Sequence, residues 1–479
     1  MNRRKNTAHF ERCFFINDLG YNQKIQPNIK DPIKMLFKRI SFCFILSAFL
    51  LQACQSLPRL FNDERPNFLV IVTDDQRFDT MQYMPNTQEL IFDQGVTFSR
   101  AYITTPFCCA SRSSILTGLY AHNHEVYVNE DKLKYKTFVE DLHKNGYYTG
   151  LVGKYLNSWD GSERPEFDFW VSFWGGTVPS YYDPDLNVNG TWSKHTGYIT
   201  YLFKDQVINF LDEATNQRKP FFLLFAPNAP HAPFTPAKED TALYQDLAPY
   251  RPENYNEADI SDKPESISDK PLLTEEESAS IDKLRRRQIL TLTALDRSIE
   301  EIITKLEATG EMDNTVIIFI SDNGHHWGEH RLDQKNTAYE ESVRVPFAIR
   351  YPALIPAPYT EDRLVSNIDI APTLYELSET RMPTDMDGLS LLPLITGIEN
   401  WRTSLLLEAW PDRGAWTAIH TGQYVYIENE GYISEFYDLN IDPYEMENKI
   451  NAAEYQSVIQ ELKITLQEKK IPRAMPSGN

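Results

Sequence analysis

The chain has 479 residues, 42% of them hydrophobic and 13% aromatic, a composition that supports a large packed core and excludes a disordered protein. Its formal net charge of −21 excludes a general polyanion-binding surface and argues against a nucleic-acid partner, so any anionic ligand has to meet a local pocket of Lys, Arg, His and metal. Of the five cysteines, Cys13, Cys43 and Cys54 lie in or before an apolar leader, and Cys108 and Cys109 are adjacent, which leaves no disulfide framework to build.

In chain order, residues 1–53 read as a leader. Met35-Leu36-Phe37-Lys38-Arg39 gives a basic start, and the apolar run from Ile40 to Leu51 is too short for a comfortable membrane span. The close, Leu51-Gln52-Ala53-Cys54, resembles a bacterial lipobox. Met35 then reads as the true start and Cys54 as a lipidated residue that ties the protein to the membrane of a bacterial cell envelope. A plain cleaved signal and a secreted product are the alternative.

From Arg65, short apolar runs alternate with amphipathic stretches, the pattern of βα units around a large mostly parallel sheet flanked by helices, an α/β fold over residues 65–393. Strands are expected at Phe68–Val72, Tyr148–Val152, Phe221–Phe225 and Val316–Ile320. Helices are expected at Met84–Gln94, Thr137–Asn145, Tyr201–Glu213 and Ser278–Thr309. Asp160–Ser193, which holds Trp170, Trp174, Tyr181 and Tyr182, and the Pro- and acid-rich Pro236–Thr274 show no clean period and read as inserted surface loops. Residues 394–479 read as a smaller α+β subdomain, with strands at Ser404–Glu408, Thr417–His420 and Tyr424–Glu428 and a helix at Ala452–Lys469.

Each expected buried strand runs into polar residues: Asp74-Asp75, Gly153-Lys154, Asn228 to His231, and Asp322-Asn323-Gly324. Sites of open α/β sheets form beyond the carboxyl ends of the strands, which predicts that these groups meet in one crevice. Either Asp pair alone is equally well read as a helix N-cap; four such clusters after four strands favour a site. Asp74, Asp75, Asp322 and Asn323 are hard oxygen donors, suited to Ca²⁺ or Mg²⁺ rather than zinc.

The run Cys108-Cys109-Ala110-Ser111-Arg112-Ser113-Ser114-Ile115-Leu116-Thr117-Gly118 matches the pattern by which formylglycine-dependent (type I) sulfatases mark their nucleophile. Asp74-Asp75, Gly153-Lys154, Pro230-His231, Ser321 to Gly324, Gly328-Glu329-His330, Lys335, Tyr339-Glu340-Glu341, Arg344-Val345-Pro346, Asp369 to Thr373, Asp387 to Leu392 and Phe436 to Leu439 follow in the family's order. The chain therefore resembles the sulfatase family of the alkaline-phosphatase-like superfamily. Gly118 to His124 and Gly153 to Asn157 are most similar to the N-acetylglucosamine-6-sulfatase and extracellular endosulfatase branch.

The resemblance implies a sulfuric ester hydrolase acting on a sulfated glycan. Cys108 would be converted to formylglycine by a maturation enzyme, and its hydrate would attack sulfur. It implies one metal ion, Ca²⁺ before Mg²⁺, on Asp74, Asp75, Asp322, Asn323 and the modified Cys108. Arg112 would orient the nucleophile, and Lys154, His231 and Lys335 would meet the sulfate oxygens or protonate the leaving alcohol. The chain departs from the family at Leu156, where many members carry His, so His122, His124 or His325 is expected to take part of that role. It departs again at Ala110, where Pro is commoner. Two other readings remain: a phosphodiester or phosphonate monoester hydrolase on the same fold, and an idle surface protein that binds sulfated glycans.

Overall fold

The computed structural model describes residues 65–472 apart from 177–178, 356–357, 398–399 and 413. The leader and Cys54 lie outside the described residues. In chain order the strands are β1 (Asn67–Thr73), β2 (Val96–Phe98), β3 (Ala101–Tyr102), β4 (Tyr148–Gly153), β5 (Phe169–Ser172), β6 (Asp185–Val188), β7 (Thr191–Lys194) and β8 (Phe221–Ala226). They continue with β9 (Thr315–Ser321), β10 (Phe347–Arg350), β11 (Tyr359–Glu361), β12 (Val365–Ser366), β13 (Leu405–Ala409), β14 (Trp416–His420), β15 (Tyr424–Asn429) and β16 (Glu435–Asp438).

The main sheet has the order β11-β2-β10-β9-β1-β8-β4-β5-β6-β7. Strands β9, β1, β8, β4 and β5 are parallel, and β10 and β6 run antiparallel beside them. Every residue of β1, β4, β8 and β9 is buried, as unbroken apolar runs require when helices cover both faces. Alternation divides the core. Leu69, Ile71, Leu223, Phe225, Ile317 and Phe319 face Phe203, Val207 and Phe210 of the helix Ile199–Gln217, and Leu292, Leu295 and Ile299 of the helix Glu275–Thr309. Phe68, Val70, Leu224, Ile318 and Ile320 face the other way, onto Ile115 and Leu116 of the helix Cys108–Thr117, Leu142 of Phe138–Lys144 and Leu374 of Ile370–Leu377.

Strands β13 to β16 form a separate antiparallel sheet. Leu406, Ile419, Tyr426 and Phe436 on one face pack on Ile459, Leu462 and Leu466 of the helix Gln456–Lys469. Leu405, Leu407, Ala418, Val425 and Ile427 on the other join the core of the large sheet. No helix among the described residues is long and apolar enough to cross a membrane.

Three expectations need correction. The helix expected over Met84–Gln94 is an α-helix at Pro85–Leu90 followed by a 3₁₀ turn at Phe92–Gln94, broken at Ile91. Asp160–Ser193 is no surface insertion: it supplies β5 and β6 and most of β7 to the sheet edge, and Trp170 and Tyr181 are core residues at 1% exposure. Only Trp174 of its four quoted aromatics stands out, at 53% exposure. Pro236–Thr274 lacks long elements as expected, but it sends Asn254, Glu257 and Lys263 into the interior. Polar side chains hid this burial from a reading of hydrophobic period.

Candidate active site

The register of β1 against β9 runs from Asn67 opposite Thr315 to Thr73 opposite Ser321, so both strands end level. Ladder bonds continue past the ends: Asp322 N donates to Thr73 O at 3.0 Å, Asp74 N to Ala229 O at 3.2 Å and Lys154 N to Ala226 O at 2.8 Å. Four adjacent strands thus deliver Asp322-Asn323, Asp74-Asp75, the His231 loop and Lys154 to one end of the sheet, where the sequence places them. Gly153 is required beside Lys154. Its φ is +116°, and a Cβ there would lie 2.0 Å from Ala226 O.

Cys108 is the first residue of the helix Cys108–Thr117, all ten residues of which are buried, and Gly118 ends it in the left-handed conformation. Cys108 Sγ lies 3.5 Å from Asp74 Oδ1, 3.8 Å from Asp75 Oδ1 and 3.6 Å from Asn323 Oδ1. Lys335 Nζ reaches Sγ at 2.8 Å, bonds Asp75 Oδ1, and lies 3.3 Å from Asn323 Oδ1. Lys154 Nζ donates to Asp74 Oδ2 at 2.7 Å. One turn along the helix, Arg112 Nε donates to Asp322 Oδ2 at 2.7 Å and Nη1 to Lys154 O at 2.9 Å, and Nη2 lies 3.8 Å from Asp74 Oδ2. His231 sits at the partly exposed mouth, its Nε2 3.7 Å from Asp75 Oδ2. Cys109 is a packed neighbour against Asp131 O and Ser158.

Burial alone would raise the aspartate pKa values, yet the cations win at two of the three. Lys154, His231, Arg112 and Lys335 hold Asp74 far below the carboxylate range, and Lys335 and His231 bring Asp75 down to about 2. Asp322 goes the other way: burial and the Asp74 charge raise it against Arg112 and Lys154. Burial also pushes the Cys108 thiol well up the scale.

His325 lies on the loop after β9. Burial brings its pKa down to about 4 against the pull of Asp75, and its Nδ1 lies 2.7 Å from His326 O. His122 is held elsewhere: its Nδ1 is 2.9 Å from both carboxylate oxygens of Glu408 on β13. His124 is enclosed beside the Cys108 helix, 3.0 Å from Ser114 Oγ.

Sequence reading missed the groups that hold the site residues in place. Arg77, buried over the Trp327 ring, bonds His325 O and Glu329 Oε1, both at 2.8 Å. Tyr181 donates to His231 O at 2.8 Å. An isolated Arg or Tyr in a polar segment carries no periodic or motif signal. A cavity of about 390 Å³ opens beside Lys335, lined by Lys270, Asn336, Asp412, Trp416 and Tyr432 among others.

The oxygen donors of Asp74, Asp75 and Asn323 fit a hard divalent cation. One ligand atom each of Asp74, Asp75, Cys108 and His231 lie within 4.8 Å of one another, and Asn323 Oδ1 adjoins them. The three aspartates are balanced by Arg112, Lys154 and Lys335. A bound divalent cation would therefore leave a local positive excess, suited to an anion, inside a chain of net charge −21.

A sulfatase family model matches residues 66–380, and one described as N-sulphoglucosamine sulphohydrolase, C-terminal, matches residues 328–471. The chain is 35% identical to the extracellular sulfatase SULF-1 homolog of Drosophila melanogaster over 72% of this chain and 33% of that protein. It is 34% identical to the human N-acetylglucosamine-6-sulfatase over 72% of this chain and 67% of that protein. It thus spans only about a third of the Drosophila relative's length. The solved structure of BT4656 in complex with its substrate, D-glucosamine-2-N,6-O-disulfate, superposes with a TM-score of 0.75 at 26% identity, covering 85% of this chain and 97% of that one. With motif order, fold and family model in agreement, the chain belongs to the sulfatase family.

Proposed function

We propose that the protein removes sulfate from a sulfated carbohydrate, with the 6-O-sulfate of a glucosamine or N-acetylglucosamine residue as the first candidate. The observation that carries this reading is the convergence of Cys108 with three aspartates, Asn323, Arg112, Lys154, Lys335 and His231 at one sheet end. The names of the human relative and of the solved complex support the choice of sugar.

In this reading Cys108 is matured to formylglycine, whose hydrate supplies the nucleophile; Asp74, Asp75, Asp322, Asn323 and the modified Cys108 would hold a Ca²⁺, which would supply positive charge to the sulfate oxygens. Arg112 locks Asp322 and the Lys154 carbonyl, fixing the helix turn that carries residue 108. Lys154 and Lys335 meet the charge that grows on the sulfate group in the transition state. His231, at the mouth, has Nδ1 3.1 Å from Ala232 O; with that nitrogen donating, Nε2 is turned toward the site, and the imidazolium form can hand its Nε2 proton to the departing sugar oxygen and return to the neutral ring. We place the protein outside the cytoplasm, anchored through Cys54.

The test is sulfate release from N-acetylglucosamine-6-sulfate and from glucosamine-2-N,6-O-disulfate, with Cys108→Ala as the blank. Release by the mature protein alone is the expected result. Folded protein with the aldehyde confirmed by peptide mass spectrometry, yet inert on a broad panel of sulfated sugars, would sink the proposal. Faster turnover of an aryl phosphonate than of the matched aryl sulfate would transfer it to phosphonate chemistry. Loss of palmitate labelling in Cys54→Ala checks the anchor.

A further inference from the structure

Beneath the Lys335 loop lies a second group of ligating side chains that sulfate chemistry does not use. A ring nitrogen of His330 and one carboxylate oxygen each of Glu341 and Glu445 lie within 4.8 Å of one another, all three residues buried. His330 follows β9, Glu341 belongs to the short turn of helix Glu340–Val343, and Glu445 lies beyond β16. Two distant parts of the chain, the stretch between β9 and β10 and the segment after β16, therefore bring donors to one point.

Donors are short around that point: the nearest further ring nitrogen, His326 Nδ1, stays 4.0 Å from Glu341 Oε2. Glu341 Oε2, Glu445 Oε1 and Asn254 Oδ1 are all buried without a hydrogen bond, and all three are acceptors. Asn254 Nδ2 has two hydrogens for three neighbours, Glu341 Oε1 at 2.9 Å, His330 Nε2 at 3.3 Å and Tyr444 O at 3.3 Å. His330 Nδ1 lies 2.6 Å from Glu257 Oε2, which makes Nδ1 the donor and leaves Nε2 its lone pair. A carboxylate behind an imidazole is the arrangement that orients a metal-ligating histidine. Of nearby cations, Lys263 Nζ approaches Glu257 Oε1 only to 3.8 Å.

We propose that His330, Glu341 and Glu445, with Glu257 behind the histidine, bind a first-row divalent metal ion of the Zn²⁺ kind, a staple between the Lys335 loop and the C-terminal subdomain. One imidazole and two carboxylates suit zinc, whereas the oxygen donors Asp74, Asp75, Asp322 and Asn323 suit calcium. The two sites thus select different ions. The staple would fix the backbone a few residues from Lys335, since Glu340 N also donates to Glu445 Oε2 at 3.0 Å.

The test needs no turnover. Purified full-length protein is equilibrated with Zn²⁺, freed of excess, and its zinc counted by plasma mass spectrometry. About one zinc per chain is expected in the wild type and in Asp75→Asn, and less than about a tenth of that in His330→Asn and Glu445→Gln. Equal zinc in wild type and a folded Glu445→Gln, or zinc lost with Asp75→Asn, overturns the proposal. Should both cluster variants fail to fold, anomalous scattering at the zinc edge from wild-type crystals soaked in Zn²⁺ decides it. A peak between His330, Glu341 and Glu445 supports the staple, and no peak there refutes it.

Discussion

Lys335 Nζ stands 2.8 Å from Cys108 Sγ while it bonds the Asp75 carboxylate, so one ammonium touches both the proposed nucleophile and a proposed metal ligand. Its stem comes from the loop after β9, not from a sheet strand, and Asp75, Asn323 and Cys108 hold its tip in the crevice. Lys335→Ala removes a preorganised positive group where charge develops on the sulfate. A fall in kcat on the order of 10²- to 10³-fold is expected. The melting temperature should change far less. An unchanged kcat on N-acetylglucosamine-6-sulfate would remove Lys335 from the chemistry.

Arg112 should matter for folding as well as for rate. Its guanidinium is buried against Asp322 and Asp74, and deleting it takes from Asp322 its ion-pair partner in the core, while Asp74 keeps Lys154. Arg112→Ala is expected to destabilise the protein by about 3–5 kcal/mol. Arg112→Lys keeps the charge but not the fork that spans Asp322 and the Lys154 carbonyl, and should fall between. Urea unfolding followed by circular dichroism, with the m-value held constant, reads both.

Removing the cation should stop turnover. Without it, three aspartates and three basic groups cancel, and no positive excess remains to hold an anionic ester. Dialysis against a chelator is expected to lower sulfate release at least about tenfold, and Ca²⁺ should restore it better than Mg²⁺, because a cage rich in carboxylates suits the larger, more flexibly coordinated ion. Full activity in chelator, or recovery with Zn²⁺ alone, would contradict this.

The sheet and its crevice were legible because both signals are local. Val316–Ile320 is apolar throughout, and Asp322-Asn323 follows it directly, so strand, burial and site position came from one stretch. The same reading misjudged Asp160–Ser193: Trp170 and Tyr181 are core residues, but short edge strands among Gly and Pro show no period. Motif reading also could not separate the histidines of Ala121 to His124. His122 pairs with Glu408 of the C-terminal sheet and His124 with Ser114 of the Cys108 helix, partners set by tertiary contact alone. Arg77, Tyr181 and Asn254 were silent for the same reason: their value lies in what they touch.

The enclosed His124 makes stability depend on pH in a direction that can be derived. Val126 N–H donates to its Nδ1 at 3.1 Å, so Nε2 carries the proton and donates to Ser114 Oγ at 3.0 Å. Both nitrogens are satisfied in the neutral ring, and a second proton would have to face an N–H donor. Burial accordingly lowers the pKa of His124 from 6.5 to about 3. Between those values the unfolded chain binds the proton and the folded one does not, so stability from this group is complete above about pH 6.5 and drains away as pH falls. The expected slope is about 1.4 kcal/mol per pH unit, or about 2 kcal/mol lost on going from about pH 6.5 to about pH 5. His124→Asn removes this titration. Although weaker at neutral pH, the variant should show a shallower loss on acidification, by about that slope. Urea unfolding of both proteins across the interval measures the difference. Parallel curves would mean that the wild-type ring takes up its proton without unfolding.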